Sequence, residues 1–304
     1  KTPKIFQGSS SPSYYYNIWS LGGVWIQNII ESSEDQAVIE KIEDKEKFDI
    51  KEKTISNNNN YKSNIPEETF NIENNVLNIT FNNRGASIIN VKLKDYQNTK
   101  NENLNLYSSF NGKLNFNLLE EENIFLNEIL FDKKIQNSEN KQTVTFTASS
   151  YDQKNISVIY VISKGYLIES KLLLNDKFIN PSNLKIEWIN TLLHQESNIT
   201  NEKNQTRINY FTNDGEFDYT SATSTSKEEV IVNDPLKWVS FKQQFFSSAI
   251  ISENNLINNN LNSEYLESDK LNKKFSINSE IPFINNSITL KYYFGPNKYS
   301  ILKN

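Results

Sequence analysis

A single histidine limits the chemistry open to this chain. His194 follows Leu192 and Leu193 at the end of an apolar run. As a general base it would need an orienting carboxylate and a nucleophile, and the sequence assigns neither. It is expected to be an ordinary hydrogen-bonded or surface residue. Carboxylates are plentiful, so the two-carboxylate arrangement of a glycosidase is the other chemistry to weigh. The acidic clusters are Glu120-Glu121-Glu122 and Asp214, Glu216 and Asp218. Acids adjacent in sequence usually form solvated faces, and the 214–218 stretch lacks the spacing of a calcium loop. No catalytic residue is assigned. The chain has no Cys and 8 Gly. That excludes thiol nucleophiles, disulfides, Cys-ligated zinc, two-His metal sites and glycine-rich phosphate loops. No metal and no cofactor are expected.

Charge narrows the partners. The 32 Lys and Arg stand against 37 Asp and Glu, a net −5, and a nucleic-acid surface needs a cationic face. Nucleic acid is therefore not an expected partner. Arg84 and Arg207 are the only arginines, and Asn is over-used, as at Asn57–Asn60 and Asn258–Asn260. This is the style of an AT-rich genome. It also makes the N-x-[ST] triplets at Asn78, Asn155, Asn198, Asn204 and Asn285 chance occurrences. The absence of Met, even at position 1, is expected of a segment cut from a longer chain, or of a sequence from which modified methionines have dropped out.

The chain divides by pattern. Residues 1–30 carry an aromatic run, Tyr14 to Ile30, broken by polar residues and glycines. It reads either as an interfacial anchor or as an element packed on the domain. Residues 31–68 are charged and polar, with too little apolar area to offset ordering, and read as a linker. From residue 69 to 304 the period is two. Leu77, Ile79 and Phe81 alternate with Asn78 and Thr80, and Ile89, Val91 and Leu93 follow across an Asn82-Asn83-Arg84-Gly85 turn, which predicts a hairpin. Similar alternation recurs at 143–147, 184–188, 208–210 and 288–294, and stretches 156–162 and 167–174 read as strands inside a sandwich. A helix is expected over Leu118–Leu130 and a short one from Pro296 to Asn304. The asparagine-rich stretches at 57–60 and 254–262 read as loops. Together these give an all-β chain of two large packed antiparallel sheets. No run of 18 apolar residues spans a membrane.

The stretch Trp238–Ile251 (WVSFKQQFFSSAII) gathers large aromatics around Lys242-Gln243-Gln244. It reads either as a core strand or as a ligand groove lined by Trp238, Phe241, Gln243 and Phe245. The groove reading belongs with a carbohydrate-binding or mutarotase-like β-sandwich protein.

Three stretches together resemble one family. They are Ile72–Tyr96 (IENNVLNITFNNRGASIINVKLKDY), Trp238–Ile251, and Tyr293–Asn304 (YFGPNKYSILKN). Their order and spacing are similar to the periplasmic domain of the bacterial membrane protein insertase YidC, in a Bacteroidetes-like style. Gly165–Ile168 and Arg207–Tyr219 fit weaker positions. The resemblance implies a β-supersandwich with a short C-terminal helix, related in shape to sugar mutarotases, on the periplasmic face of the inner membrane. It implies a non-catalytic domain, anchored to the membrane in the full-length protein, that supports insertion of inner-membrane proteins. The Sec translocon and SecDF are the implied partners, and nascent membrane proteins would be met through a membrane core not found in these residues. The contact implied with that core involves Gly295, Pro296, Tyr299 and Leu302, which read equally as a helix cap and core anchor. His194 alone does not rebuild a mutarotase sugar site, and a shared fold does not carry an activity.

Overall fold

The computed structural model describes Tyr61 and residues 65–120 and 123–297. The expected aromatic segment and most of the expected linker lie outside the described residues, as do Tyr299 and Leu302. The first sheet is a four-stranded antiparallel meander of β1 (Thr69–Glu73), β2 (Leu77–Asn82), β3 (Ser87–Gln97) and β4 (Asn103–Ser108). Alternation builds it: Leu77, Ile79, Phe81, Val91 and Leu93 are fully buried, and Leu77 pairs with Leu93 and Ile79 with Val91. The predicted hairpin turn is there. Gly85 takes φ +74°, and its N–H donates to the carbonyl of Ile129 at 2.8 Å. A Cβ on Gly85 would stand 2.9 Å from the Asn127 Cα. Gly85→Ala adds both this clash and left-handed strain, so it should cost about 1–3 kcal/mol in urea unfolding.

The expected helix over Leu118–Leu130 is not formed. Leu118 ends strand β5 (Gly112–Leu118), Ile124–Phe125 form a short strand β6 against it, and a single 3-10 turn follows at Leu126–Glu128. Ile124, Leu126, Ile129 and Phe131 are buried, so apolar residues that resemble a helical face are instead drawn into the sandwich wall. Tertiary packing overrides the local pattern here.

The other strands are β7 (Asp132–Asn137), β8 (Lys141–Ser149), β9 (Asn155–Ser163), β10 (Leu167–Leu174), β11 (Asn183–Leu193), β12 (Arg207–Thr212), β13 (Phe217–Tyr219), β14 (Glu228–Val232), β15 (Leu236–Lys242), β16 (Phe246–Tyr265), β17 (Leu271–Pro282) and β18 (Ser287–Pro296). Among the described residues a short helix, α1 (Ile199–Gln205), interrupts them. The order β6-β5-β11-β17-β16-β18-β10-β9-β8-β7 forms a continuous antiparallel path. It folds into two layers because β16 belongs to both. Its first part, from Phe246 to Ser252, pairs with β18 and β15, and its second, from Ile257 to Tyr265, pairs with β17 and β14.

The crossover is made of asparagines. Asn255 and Asn258 adopt φ +61° and +52°, a region that asparagine enters more readily than most residues. Asn254 Nδ2 donates to the carbonyls of Pro282 and Ser287, and Asn259 Nδ2 to those of Val232, Asp234 and Leu256. The stretch expected to be a loop is therefore the bend of the longest strand, with amide side chains replacing the ladder bonds that the bend breaks. Pro296 closes β18 opposite Phe246 and does not open a helix there; the helix expected to run on to Asn304 lies outside the described residues.

Aromatic residues fill the space between layers. Trp188 stacks on Phe241 with centroids 4.0 Å apart, and Phe241 lies 5.2 Å from Phe275. Tyr160 contacts Phe81 at 5.0 Å, and its hydroxyl donates to the Ala86 carbonyl at 2.8 Å. Among the described residues no helix is long and apolar enough to cross a membrane.

Candidate functional site

One corner of the sandwich collects residues from both candidate sets. The chain leaves β15 at Lys242, turns through Gln243–Phe245 and enters β16, beside which β18 runs out through Gly295 and Pro296. The Gln243 N–H donates to the Phe246 carbonyl at 2.8 Å to close the turn. Asn297 then ties the two ends together. Its backbone N–H donates to the Phe245 carbonyl at 2.8 Å, and its Nδ2 to the carbonyls of Gln243 and Gln244, both at 3.0 Å. Ser247 Oγ lies 2.6 Å from Asn297 Oδ1. Four bonds on one residue fix where the chain exits relative to the turn. Gln243, Phe245, Gly295 and Pro296 are thus brought into one corner.

Gly295 is needed there because of a ring. A Cβ would lie 2.7 Å from Tyr166 Cγ and 2.9 Å from Tyr293 Oη. The Tyr293 hydroxyl donates to the Pro296 carbonyl, and Phe294 N–H to the Tyr166 carbonyl at 3.1 Å. Burial raises the Tyr166 phenol well above its ordinary range, so it stays neutral. Lys242 Nζ donates to the carbonyls of Gln205 and Gln243 at 3.2 and 3.3 Å. Burial, then the nearby Arg207 charge, lowers its pKa.

Trp238 and Phe241 belong elsewhere. Phe241 is 1% exposed and forms the inter-layer stack with Trp188. Trp238 is 6% exposed and covered by Phe211 and Phe217, at 5.8 and 6.0 Å. Phe241 faces the layers' common interior, whereas Trp238, on the opposite face of β15, is covered by the β12–β13 aromatics. The strand that carries Phe241 to the core ends at Lys242 and leads into the turn that holds Gln243 and Phe245 at the corner.

Sequence reasoning missed the partner of His194. Its Nδ1 lies 2.7 Å from Glu202 Oε2, with side chains 7% and 1% exposed. Glu202 Oε1 also accepts the Gln195 N–H at 3.0 Å. The pair is set by α1: Asn198 caps the helix by accepting the Asn201 N–H at 3.0 Å, which places Glu202 one turn in, facing the end of β11. The signal was Asn198, noticed only as a glycosylation triplet, when asparagine before a short helix is a cap. The dyad is sealed, so it is a buried hydrogen-bonded pair and not an open catalytic one. Desolvation, and then the Glu202 charge, pushes Glu196 up to about 6. Asp218 accepts a bond from the Tyr210 hydroxyl at 3.0 Å on an exposed strand. Among the described residues no group of three acidic or histidine side chains gathers to hold a metal.

Lys273 is 1% exposed and donates to the carbonyls of Thr206 and Ala222 at 2.9 and 2.6 Å. Burial lowers it to about 8 from the ordinary 10.5, against a smaller opposing pull from Glu228. The folded chain then sheds this proton before the unfolded chain does. Between those two values the unfolded state holds more protons, so this group makes stability rise with pH and lose that gain as pH falls through about 8. Denaturant midpoints followed from pH 8 to about 9.5 should rise more steeply in the wild type than in Lys273→Met.

Comparisons with known proteins match this region. The family model for the YidC periplasmic domain matches residues 69–304. A membrane protein insertase YidC from Azobacteroides pseudotrichonymphae is 31% identical over 247 residues, covering 78% of this chain and 40% of the relative. One from Parabacteroides distasonis is 25% identical over 248 residues, 78% of this chain and 38% of the relative. The chain thus spans about 40% of the length of the curated relatives it matches. Among solved structures, a galactose mutarotase-like protein from Lactobacillus casei is similar with a TM-score of 0.46 and 9% identity, covering 75% of this chain and 100% of that one.

Proposed function

The chain belongs to the YidC periplasmic domain family, and from that membership we propose that it is the non-catalytic periplasmic domain of a YidC-type membrane protein insertase. The observation that carries the reading is the match over residues 69–304, the whole span of the described sandwich after its first residues. In this reading the domain sits on the periplasmic face of the inner membrane, and it supports the insertion and folding of inner-membrane proteins by docking to the Sec translocon and SecDF. It takes no cofactor and does not bind nucleic acid.

The Gln243–Phe245 turn and the Gly295–Asn297 exit are the proposed docking corner. A contact surface that must hold a second body in register needs a rigid base, and Asn297 supplies one by binding the turn to the exiting strand. Tyr299 and Leu302, the other two residues of the implied contact, lie outside the described residues.

The product of the whole gene should fractionate with the inner membrane. Its β-domain should become protease-sensitive once the outer membrane is opened, while the inner membrane stays intact. A product recovered in the cytosolic fraction would overturn the reading.

A further inference from the structure

Behind the docking corner, β4 and β11 enclose a small cavity, one wall of which is Gln243 of the corner itself. Asn105, Ser108, Asn111, Asn190, Gln195 and Gln243 line it, with leucines between them, and its volume is about 20 Å³ beneath an open mouth. No charged side chain is in the lining. An ion placed there would find no counter-charge to offset its desolvation, so the cavity suits a neutral group.

The amides decide what kind. Asn190 is 1% exposed, and its Nδ2 donates to the Leu106 carbonyl at 3.3 Å. Asn111 Nδ2 donates to the Thr191 carbonyl at 2.6 Å, and Gln243 Nε2 to the Leu193 carbonyl at 3.3 Å. Three amide nitrogens are thus committed to backbone carbonyls, which turns the oxygen of each amide the other way. The Oδ1 atoms of Asn190 and Asn105 are buried with no partner. A buried acceptor without a donor is costly, and two of them in one neutral cavity call for a group that donates. The space takes one or two hydroxyl-sized groups and not a whole ring, since one water needs roughly 10–15 Å³.

We propose that this cavity receives the hydroxyl edge of a neutral polyol, with the rest of the molecule standing in the mouth against the Leu106 and Leu193 walls. Free glycerol and a free hexose present the same hydroxyl chemistry at different sizes, and the test separates them. The proposal is independent of the insertase reading, because the assay uses the 304-residue chain alone in buffer.

The side-chain amide signals of Asn111, Asn190 and Gln243 are followed by nitrogen–proton NMR while glycerol, or in a second series glucose, is added. Saturable shifts confined to these signals are expected with at least one probe, and Asn105→Ala should weaken them about fivefold to tenfold. Asn190→Ser is the second variant, with folding checked by its melting curve. If it does not fold, Asn105→Ala, whose side chain is half-buried, decides. No saturable shift with either probe, an unchanged affinity in Asn105→Ala, or a high-resolution structure showing water only in the presence of the probe would each overturn the proposal.

Discussion

Phe241→Ala should bring the sandwich close to unfolding, with a loss of about 3–5 kcal/mol in urea denaturation. The ring is 1% exposed, stacks on Trp188 at 4.0 Å and touches Phe275 at 5.2 Å. Phe241 lies on β15, while Trp188 and Phe275 lie on β11 and β17 of the facing layer. Truncation therefore opens a cavity at the seam between layers, where backbone hydrogen bonds hold each layer's strands apart and neither can easily close the gap. A domain of ordinary stability, about 5–15 kcal/mol, has little left after such a loss. Tyr151→Ala is the control: that residue is 76% exposed in a turn, and its removal should stay within about 0.5 kcal/mol. Equal effects from the two substitutions would mean that the Trp188–Phe241 stack is not the seam described.

Glu202→Ala should cost a similar amount, about 3–5 kcal/mol, for a different reason. Little apolar area is lost. The cost comes from the groups left behind, His194 Nδ1 and the Gln195 N–H, both of which Glu202 holds at 2.7 and 3.0 Å in a sealed site. Loss of the carboxylate also loosens α1 from the end of β11, since that carboxylate is what binds His194 and the Gln195 N–H just beyond the strand. Glu202→Gln keeps the volume and one acceptor, so it should recover part of the loss. Denaturation curves of the two variants separate the terms. If alanine and glutamine behave alike, the carboxylate's bonds contribute little and packing alone places the helix.

These two residues also show where the sequence speaks and where it does not. The sandwich was legible because strand alternation is local: Leu77, Ile79 and Phe81 declare one buried face with no knowledge of what covers it. The family was legible because YFGPNKYSILKN and WVSFKQQFF place glycine, proline and aromatics at fixed spacing. The use of Phe241 and Trp238 was not legible. A periodic aromatic in a strand gives the same pattern whether its face meets a ligand or a second sheet, and only the pairing of β15 with β16 decides. The crossover at Asn254–Asn259 was misread for a related reason. Asparagine signals a turn through its tolerance of positive φ, and here that tolerance serves a bend inside a strand, with side-chain amides standing in for backbone partners. His194 and Glu202 are eight positions apart, a spacing with no meaning until a capped helix folds one toward the other. The apolar residues of 118–130 fit a helix by count, but Leu118 pairs with β11 and Ile124–Phe125 with the outer edge of β5.

Asn297 joins fold to proposed function. It spends its backbone N–H and side-chain amide on one turn, which makes the exit of β18 and the Gln243–Phe245 turn a single surface. A docking role for this domain predicts that partners lie against that surface and not merely near the sandwich.

The most direct measurement is a photo-crosslink made in native membranes from the full-length gene, with the reactive side chain placed at Phe245 and, as a control, at Tyr151. Adducts of Sec translocon or SecDF subunits are expected at Phe245 and none at Tyr151. Equal adducts at both positions, or none at Phe245 while the protein is intact and membrane-bound, would contradict the docking role.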